Sequence, residues 1–472
     1  MLTFEDLHIL LPQIIVAGSA ILLLLCIAIR RNTIISYLIS LAALVVAFVF
    51  LINLPNTQQL ATNLFIIDPL GKFLSGLILS AGGVIVVFSY PYFSVVKIVK
   101  EEYYVLLLLA ILGTMCMVIS NHFISFVLSL EVLSVSLFGL IGYLKERKVS
   151  IESGIKYLIM AAVATSFVLF GFALIYATTG SMDLQGIGAV LRTMPLNAVS
   201  LAGLALVIVG FGFKMALTPF HLWTPDIYAA APAPVSAFVA TISKGAAFVF
   251  LLRLFYSVGG LLHDGIWIAF AVIATASMFI GNWLALRQQN IKRLLAYSSI
   301  SHLGYLMVAF LSFSLAGINA SVFYLSVYFV SMLAAFGLIT YLSFEKGEPL
   351  MLEDYRGLFW SRPWLAAFFS VVMLSLAGIP LTAGFMGKFY ILAAGINGGA
   401  LFLLFVLVIS STIGLFYYLK VIAVMLTKSP ITVHKTVGDQ SWLLKIVMII
   451  LFILLFWFGV YPSTFLKMIG AG

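Results

Sequence analysis

GFGFKMALTPFHLWTPDIYAAAPAPVSAFVATISKGA, residues Gly210–Ala246, decides how the rest of the chain is read. An apolar run from about 198 reaches Lys214, and a second apolar run extends from 234 to 257 and carries Lys244. Between them lie Pro219, Pro225, Pro232 and Pro234, interleaved with His221, Trp223, Thr224, Asp226 and Tyr228. Each proline removes a backbone donor and frees a carbonyl. At membrane depth such a break persists only where protein or a wet cavity satisfies the freed groups. The pattern is that of a helix interrupted inside a bilayer, with a lysine on either side of the interruption.

The remainder of the chain supports a bilayer. Of its 472 residues, 63% are hydrophobic and 9% charged, and mean hydropathy is +1.20; a soluble domain carries roughly 25% charged residues. Apolar runs long enough to cross a core of about 30 Å recur from end to end. They predict an all-α polytopic membrane protein of about fourteen spans, near 8–29, 33–53, 73–90, 104–120, 122–143, 153–179, 198–218, 234–257, 266–286, 291–312, 317–343, 363–396, 401–427 and 441–464. The run 363–396 is too long for one straight crossing and holds Gly378, Pro380, Gly384 and Gly387, so a second broken helix is expected there. The first run lacks a basic leader and is followed directly by another span, which makes it a helix rather than a signal peptide.

Charge sorts by loop. Arg30, Arg31, Lys97, Lys100, Lys145, Arg147, Lys148, Arg287, Lys292, Arg293, Lys346, Arg356, Arg362, Lys428 and Lys435 fall in odd-numbered connections, against Lys72, Arg192 and Lys467 on the other side. The positive-inside rule then puts both termini on the non-cytoplasmic side. The net charge of +9 is therefore topological, and no nucleic-acid partner is expected. Cys26 and Cys116 have no CxxC spacing, the six histidines are scattered, and neither GxGxxG after a strand nor GxxxxGK[ST] occurs. Disulfides, a cluster ligand set, a metal and a bound nucleotide are all unsupported.

Near-equal offsets suggest an internal repeat. Glu131 and His302 are 171 positions apart, Lys214 and Lys388 are 174, and Lys244 and Lys420 are 176. Each pair is separated by five spans, an odd number, so the second copy would be inverted in the membrane. The expected organisation is a single membrane domain, 1–472, with N-terminal helices to 100, a first repeat over 104–258, a second over 266–427, and a C-terminal helix from 441.

Ionisable residues inside spans are costly. A lysine at a helix centre costs roughly 2.5–3.5 kcal/mol on insertion scales, so Lys214, Lys244 and Lys388 together represent on the order of 8–10 kcal/mol. Desolvation brings the two protonation states of a lysine closer together, and a nearby carboxylate such as Glu131 favours the charged one. We read Glu131, Lys214, Lys244, His302 and Lys388 as a lateral proton relay; a static ion pair pinning two helices is the alternative for Glu131. Lys156, near a helix end, is either a further member or a side chain that snorkels to the interface. Arg253 and Lys445 read as anchors or partner contacts, and His221 either as a group satisfying the freed carbonyls of the break or as a proton carrier within it. His122 and His263 sit at helix ends.

The Gly210–Ala246 stretch resembles the signature of the antiporter-like membrane subunits of respiratory complex I and of the multisubunit cation/proton antiporters. Four further stretches carry the likeness: LSLEVLSVSLFGL around Glu131, IKYLI around Lys156, KRLLAYSSISHLGY from Lys292 to Tyr305, and LAGIPLTAGFMGKFY from Leu376 to Tyr390. With Thr224-Pro-Asp-Ile-Tyr228, Ile242-Ser-Lys244 and lysine rather than glutamate at 388, the wording is most similar to the N-type subunits of NADH-quinone oxidoreductase. The resemblance spans roughly 100–430. It implies fourteen helices in two inverted five-helix repeats, each with a broken helix, and one proton pathway. It also implies roles: Glu131 modulating, Lys214 central to the first half-channel, Lys244 and His302 connecting, and Lys388 serving the second half-channel. NADH, FMN, iron-sulfur clusters and quinone would all lie on partner subunits, with other membrane subunits and the lipid bilayer as neighbours in a bacterial inner membrane. A subunit of a multisubunit sodium/proton antiporter is the alternative. Relatives with a long lateral C-terminal helix need chain beyond the last span, and here it stops at Gly472. Phe138 stands where a tyrosine is more usual.

Overall fold

The computed structural model describes residues 4–96, 101–193, 196–259, 264–343, 347–428 and 441–468. Its principal helices are α1 (Leu11–Ile29), α2 (Thr33–Asn53), α3 (Pro69–Val96), α4 (Glu101–Val118), α5 (Phe123–Ile141), α6 (Lys148–Thr179), α7 (Ala198–Met215), α8 (Trp223–Ala230), α9 (Ala233–Phe238) and α10 (Lys244–Ser257). They continue with α11 (Asp264–Leu286), α12 (Ile291–Phe310), α13 (Leu315–Leu342), α14 (Pro363–Ala377), α15 (Ala383–Asn397), α16 (Leu401–Leu426) and α17 (Trp442–Val460). Inside a bilayer only a helix satisfies its own backbone, which is why apolar runs with little amphipathic pattern all adopt this state. Their starts are capped by local side chains: Asn32 Oδ1 accepts from the amides of Ile34 and Ile35, Asn290 Oδ1 from those of Lys292 and Arg293, and Ser314 Oγ from that of Gly317. Capping of this kind contributes about 1 kcal/mol per helix.

Twelve helices among the described residues are long and apolar enough to cross a membrane. Of the expected spans, the two outside that set are α12, whose serines, lysine and histidine make it polar, and the 363–396 run, which breaks into α14 and α15 as the sequence predicts. The seventh span breaks likewise: α7 ends at Met215, and α8 and α9 follow. A small antiparallel hairpin, β1 (Gln59–Ala61) paired with β2 (Phe65–Ile67), adds strand structure that the sequence reading did not anticipate.

The chain divides into two compact units. The first comprises residues 1–86, 99–215 and 242–268; the second comprises 87–98, 216–241 and 269–472. These units do not follow the chain order of the expected repeats, because the segment after the first break, with α8 and α9, belongs to the second unit. In the first unit α6 packs along α7 through small residues. A Cβ added to Gly171 would lie 2.7 Å from the Gly203 carbonyl oxygen, and one on Gly203 would lie 2.9 Å from that of Gly171. Close backbone approach of this sort drives helix association where lipid removes the hydrophobic incentive. Arg253 of α10 is tied within the unit: it forms an ion pair with both Asp68 oxygens and donates from Nε to the Val118 carbonyl at 2.8 Å. Burial pushes the Asp68 carboxyl up, but the charge and hydrogen bonds of Arg253 outweigh it and hold the group below the usual carboxylate range. In the second unit α13 is buried along almost its whole length, with α9, α14, α15 and α17 against it. Outward faces carry exposed apolar side chains, such as Ile21 and Leu25 in α1 and Phe405 and Phe416 in α16.

One loop assignment is corrected. Lys292, counted in the sequence among connection cations, opens α12 and is fully buried; its neighbour Arg293 pairs with Asp226 at 2.6 Å near the surface. The connection cations Lys97, Lys100, Lys346 and Lys435, together with His263, lie outside the described residues.

Candidate functional site

The buried lysines stand at the ends of broken helices. Lys214 occupies the last turn of α7, is 6% exposed, and donates from Nζ to Ser134 Oγ of α5 at 2.8 Å. Its ammonium also lies 6.0 Å from the centre of the Tyr157 ring, which packs edge-on against Phe138. Glu131, one turn before Ser134, is half-buried and acts on Lys214 by charge. Among the described residues Glu131 has no cationic partner within 4.0 Å, so the carboxylate and the ammonium are neighbours without a direct salt bridge. Two residues after Lys214, Ala216 has φ +58, a left-handed conformation that an alanine rarely adopts. Such strain concentrates where function holds the backbone.

Lys244, in the same unit, opens α10 directly after the π turn Val239–Ser243 and is 1% exposed. π turns insert a residue into the helical ladder and recur at functional positions. The structure places Lys156 elsewhere: it is on the outer face of α6, its side chain 53% exposed and paired with Glu152 one turn away at 2.6 Å. Lys420 is half-buried on α16, and His122 caps α5 by accepting from the Ile124 amide at 3.1 Å.

In the second unit Lys388 of α15 turns back onto the end of α14. Its Nζ donates to the carbonyls of Ala377 at 2.7 Å and Leu376 at 3.2 Å, and to Ser411 Oγ of α16 at 2.7 Å. The last carbonyls of a helix carry its negative dipole end, so an ammonium is favoured there. Gly378, with φ +86, makes the approach possible: a Cβ there would lie 2.8 Å from the Lys388 Cδ and 3.0 Å from Nζ. The ammonium lies 5.3 Å from the Tyr305 ring centre. His302 is 5% exposed on α12 and within electrostatic reach of Lys388. Both its ring nitrogens face phenols, those of Tyr324 and Tyr418.

Several members of this polar interior are absent from the sequence reading. Asn282, fully buried, donates to Tyr305 Oη at 2.8 Å and accepts from Tyr417 Oη at 2.9 Å. Tyr305 lies three residues past His302 in the Lys292–Tyr305 motif; Tyr324, Tyr418 and Ser411 carry no local signal beyond being polar groups in apolar helices. A further buried pair joins Lys292 Nζ to Glu348 Oε2 at 2.8 Å. It brackets the bend between α8 and α9: Lys292 donates to the Ala231 carbonyl at 2.5 Å, while Glu348 Oε1 accepts from the Ala233 amide at 2.8 Å and from Tyr92 Oη at 2.6 Å. His221, Thr218 and Thr224 of the broken segment are also buried in this unit. Among the described residues no three His, Cys, Asp or Glu side chains are grouped as a metal ion would need.

Comparison with known proteins matches this architecture. The family model described as "NADH:quinone oxidoreductase/Mrp antiporter, TM" matches residues 120–414. The NADH-quinone oxidoreductase subunit N of Ectopseudomonas mendocina (strain ymp) is 40% identical over an alignment of 482 positions, gaps included, that covers 99% of this chain and 96% of that protein. A chain of respiratory complex I from Thermus thermophilus, solved with bound aureothin, superposes with a TM-score of 0.84 at 30% identity, covering 98% of this chain and all of that one. A chain of the Mrp complex from Dietzia sp. DQ12-45-1b has the same fold, with a TM-score of 0.82 at 19% identity over 99% of this chain and 97% of its own. With its buried lysines lying inside the matched region and its likeness running almost end to end, the chain belongs to the membrane-subunit family shared by NADH:quinone oxidoreductase and the Mrp antiporters.

Proposed function

We propose that the chain is a proton-translocating membrane subunit of a bacterial NADH-quinone oxidoreductase, and that Glu131, Lys214, Lys244, His302 and Lys388 carry the protons. The observation that carries this reading is the pair of ammonium groups, Lys214 and Lys388, buried at the ends of two interrupted helices. Neither is locked in a salt bridge among the described residues; each is held by a hydroxyl from another helix, a partner that releases a proton-bearing nitrogen far more readily than a carboxylate does. A purely structural lysine at this depth gains most from a bonded counter-ion, as Lys292 has. Identity of 40% along the whole chain to a protein named subunit N favours the oxidoreductase. Likeness to the Mrp complex is at the level of fold.

Oxidation of NADH and reduction of quinone then take place on partner subunits, which hold FMN and the iron-sulfur clusters, and this chain couples to them through neighbouring membrane subunits. In the first unit a proton is held at Lys214 while Glu131 is charged; protonating or displacing that carboxylate weakens the hold. In the second unit the carbonyls that close α14 stabilise a charged Lys388. Lys156, exposed and paired with Glu152, fits an anchor facing the bilayer or a neighbour. The positive-inside distribution supports both termini on the non-cytoplasmic side. The test is Lys214→Ala in membranes with assembly of the complex verified. Quinone reduction driven by NADH and proton pumping should both fall steeply, and unchanged values for both would overturn the proposal.

A further inference from the structure

His302 is engaged at both ring nitrogens: Tyr324 Oη lies 2.7 Å from Nδ1, and Tyr418 Oη lies 3.0 Å from Nε2. A neutral imidazole has one donor nitrogen and one acceptor nitrogen. One phenol therefore donates to the ring while the other accepts from it, and two such arrangements exist, one per tautomer. Each becomes the other when a proton enters at one nitrogen and a proton leaves from the opposite one. Beyond Tyr418 the hydrogen bonding continues to Ser298 Oγ. Beside Tyr324 and His302 lies a cavity about the size of one water molecule, bordered also by Tyr328, Ser331, Ser375 and Leu376. A cavity that small holds water only with polar partners around it, and the Ser331 and Ser375 hydroxyls, 3.2 Å apart, supply them beside Tyr324. The carbonyl of Leu376 is one of the groups to which Lys388 donates.

We infer that Tyr324 and Tyr418 are proton carriers flanking His302, and that with one water in the adjoining cavity they form a single-file path from Lys388 to Ser298. The inference rests on the reading of Lys388 as a proton-holding residue. An N–H bond of the Lys388 ammonium breaks as an O–H bond forms on the cavity water. That water gives a proton to Tyr324 Oη, whose own proton passes to Nδ1. On the far side the Nε2 proton moves to Tyr418 Oη as the phenol's proton goes to Ser298 Oγ, and the serine's proton passes to a water molecule beyond it. Every bond to hydrogen that breaks is replaced by one that forms, no electron changes owner, and the imidazole ends in its other tautomer. Rotation of the phenol hydrogens resets the two phenols, and the imidazole returns to its first tautomer only by a further exchange that protonates Nε2 and deprotonates Nδ1.

Phenylalanine keeps the ring and removes only the oxygen, so Tyr324→Phe and Tyr418→Phe test the path with little disturbance of packing. In membranes holding the assembled complex, each single variant should lower NADH-driven quinone reduction and proton pumping by about a hundredfold, the low end of what a positioned proton-transfer group supplies. Because the two links lie in series, the double variant should fall no further than the slower single one. Tyr324→His, which restores a proton-carrying ring, should recover much of what Tyr324→Phe loses. Single variants with wild-type rates, or a double-variant loss equal to the product of the single losses, would overturn the inference, the latter outcome marking the phenols as braces for the ring. Lys388→Met in the same membranes separates the two readings. If it abolishes pumping while Tyr324→Phe does not, the path alone fails; if it too is without effect, the role of Lys388 fails with it.

Discussion

Replacing Lys292 by alanine should cost this protein more than almost any other single change outside the residues proposed to carry protons. The Lys292 and Glu348 side chains are 0% and 2% exposed, and the ammonium bonds at once to the carboxylate and to the Ala231 carbonyl. Without Lys292, Glu348 keeps two donors, the Tyr92 phenol and the Ala233 amide, but its charge is left buried with no other salt-bridge partner among the described residues. Breaking a buried pair by removing one partner costs about 3–5 kcal/mol. The Ala231 carbonyl loses the ammonium and keeps only the long hydrogen bond from Ser236 Oγ at 3.4 Å, which adds to the loss. Even the lower figure, about 3 kcal/mol, shifts a folding equilibrium by a factor of more than a hundred.

The consequence should be read in the amount of assembled complex in membranes, by native electrophoresis with NADH-dehydrogenase staining, and in the thermal midpoint of the purified complex. The comparison that isolates the mechanism is Lys292→Met with Glu348→Gln, which removes both charges at nearly constant volume and leaves a side-chain amide oxygen to accept from Tyr92 and Ala233. That double variant should be more stable than Lys292→Ala alone, since no uncompensated charge remains. An assembly level and midpoint for Lys292→Ala equal to wild type, or a double variant less stable than the single one, would refute the reasoning.

Two further outcomes follow from positions already described. Gly378→Ala places a Cβ at φ +86 and against the Lys388 side chain; the backbone alone costs about 1–3 kcal/mol, and turnover measured on the assembled complex should fall further than the loss of assembly explains, because the ammonium is pushed off the Leu376 and Ala377 carbonyls. Asp68 has its carboxyl held below the usual range in the folded chain; its stabilising contribution is therefore fully present above the unfolded value, near about 4, and is lost as pH falls through the lower folded value. With Arg253→Met, the charge and hydrogen bonds that lower the Asp68 carboxyl are lost, so the acid decline of thermal stability owed to this group should shrink or vanish; an acid limb equal to that of the wild type would show that the pair does not bear on stability.

The fold was legible wherever a physical cost is local. Apolar runs, proline breaks and isolated lysines are each penalised or permitted by the bilayer within a few residues of sequence, so the spans and both interruptions can be placed from the chain alone. What escaped were groups whose burial is decided at long range. Lys292 reads as a loop cation because it stands next to Arg293 at a helix start, and only Glu348, 56 positions away, makes its burial tolerable. Tyr324 and Tyr418 look like ordinary aromatic residues of apolar helices until the fold aims both phenols at one imidazole. Arg253, read as an anchor or a partner contact, is answered within the chain by Asp68, 185 positions distant. The hairpin of β1 and β2 is six residues of strand in a polar connection, too short for a period-two pattern to register.

The placement of Lys214 and Lys388 argues that they do different work with similar parts. Ser134, which bonds Lys214, lies three residues past Glu131; Tyr305, whose ring faces Lys388, lies three residues past His302. Three residues is one helical turn, so in each unit the lysine stands over the turn that follows a titratable group. The interruptions differ in which half carries the lysine. Lys214 closes the helix before its break, so its charge answers to Glu131, a group that can itself gain or lose a proton. Lys388 follows its break and reaches back to the closing carbonyls of α14, so its charge answers to fixed dipoles. A signal that alters Glu131 therefore changes the hold on Lys214 directly, whereas the hold on Lys388 changes only if the backbone around Gly378 moves or its own proton departs. On this argument Glu131→Gln should alter the pH dependence of pumping through the first unit, while the environment of Lys388 stays as it is.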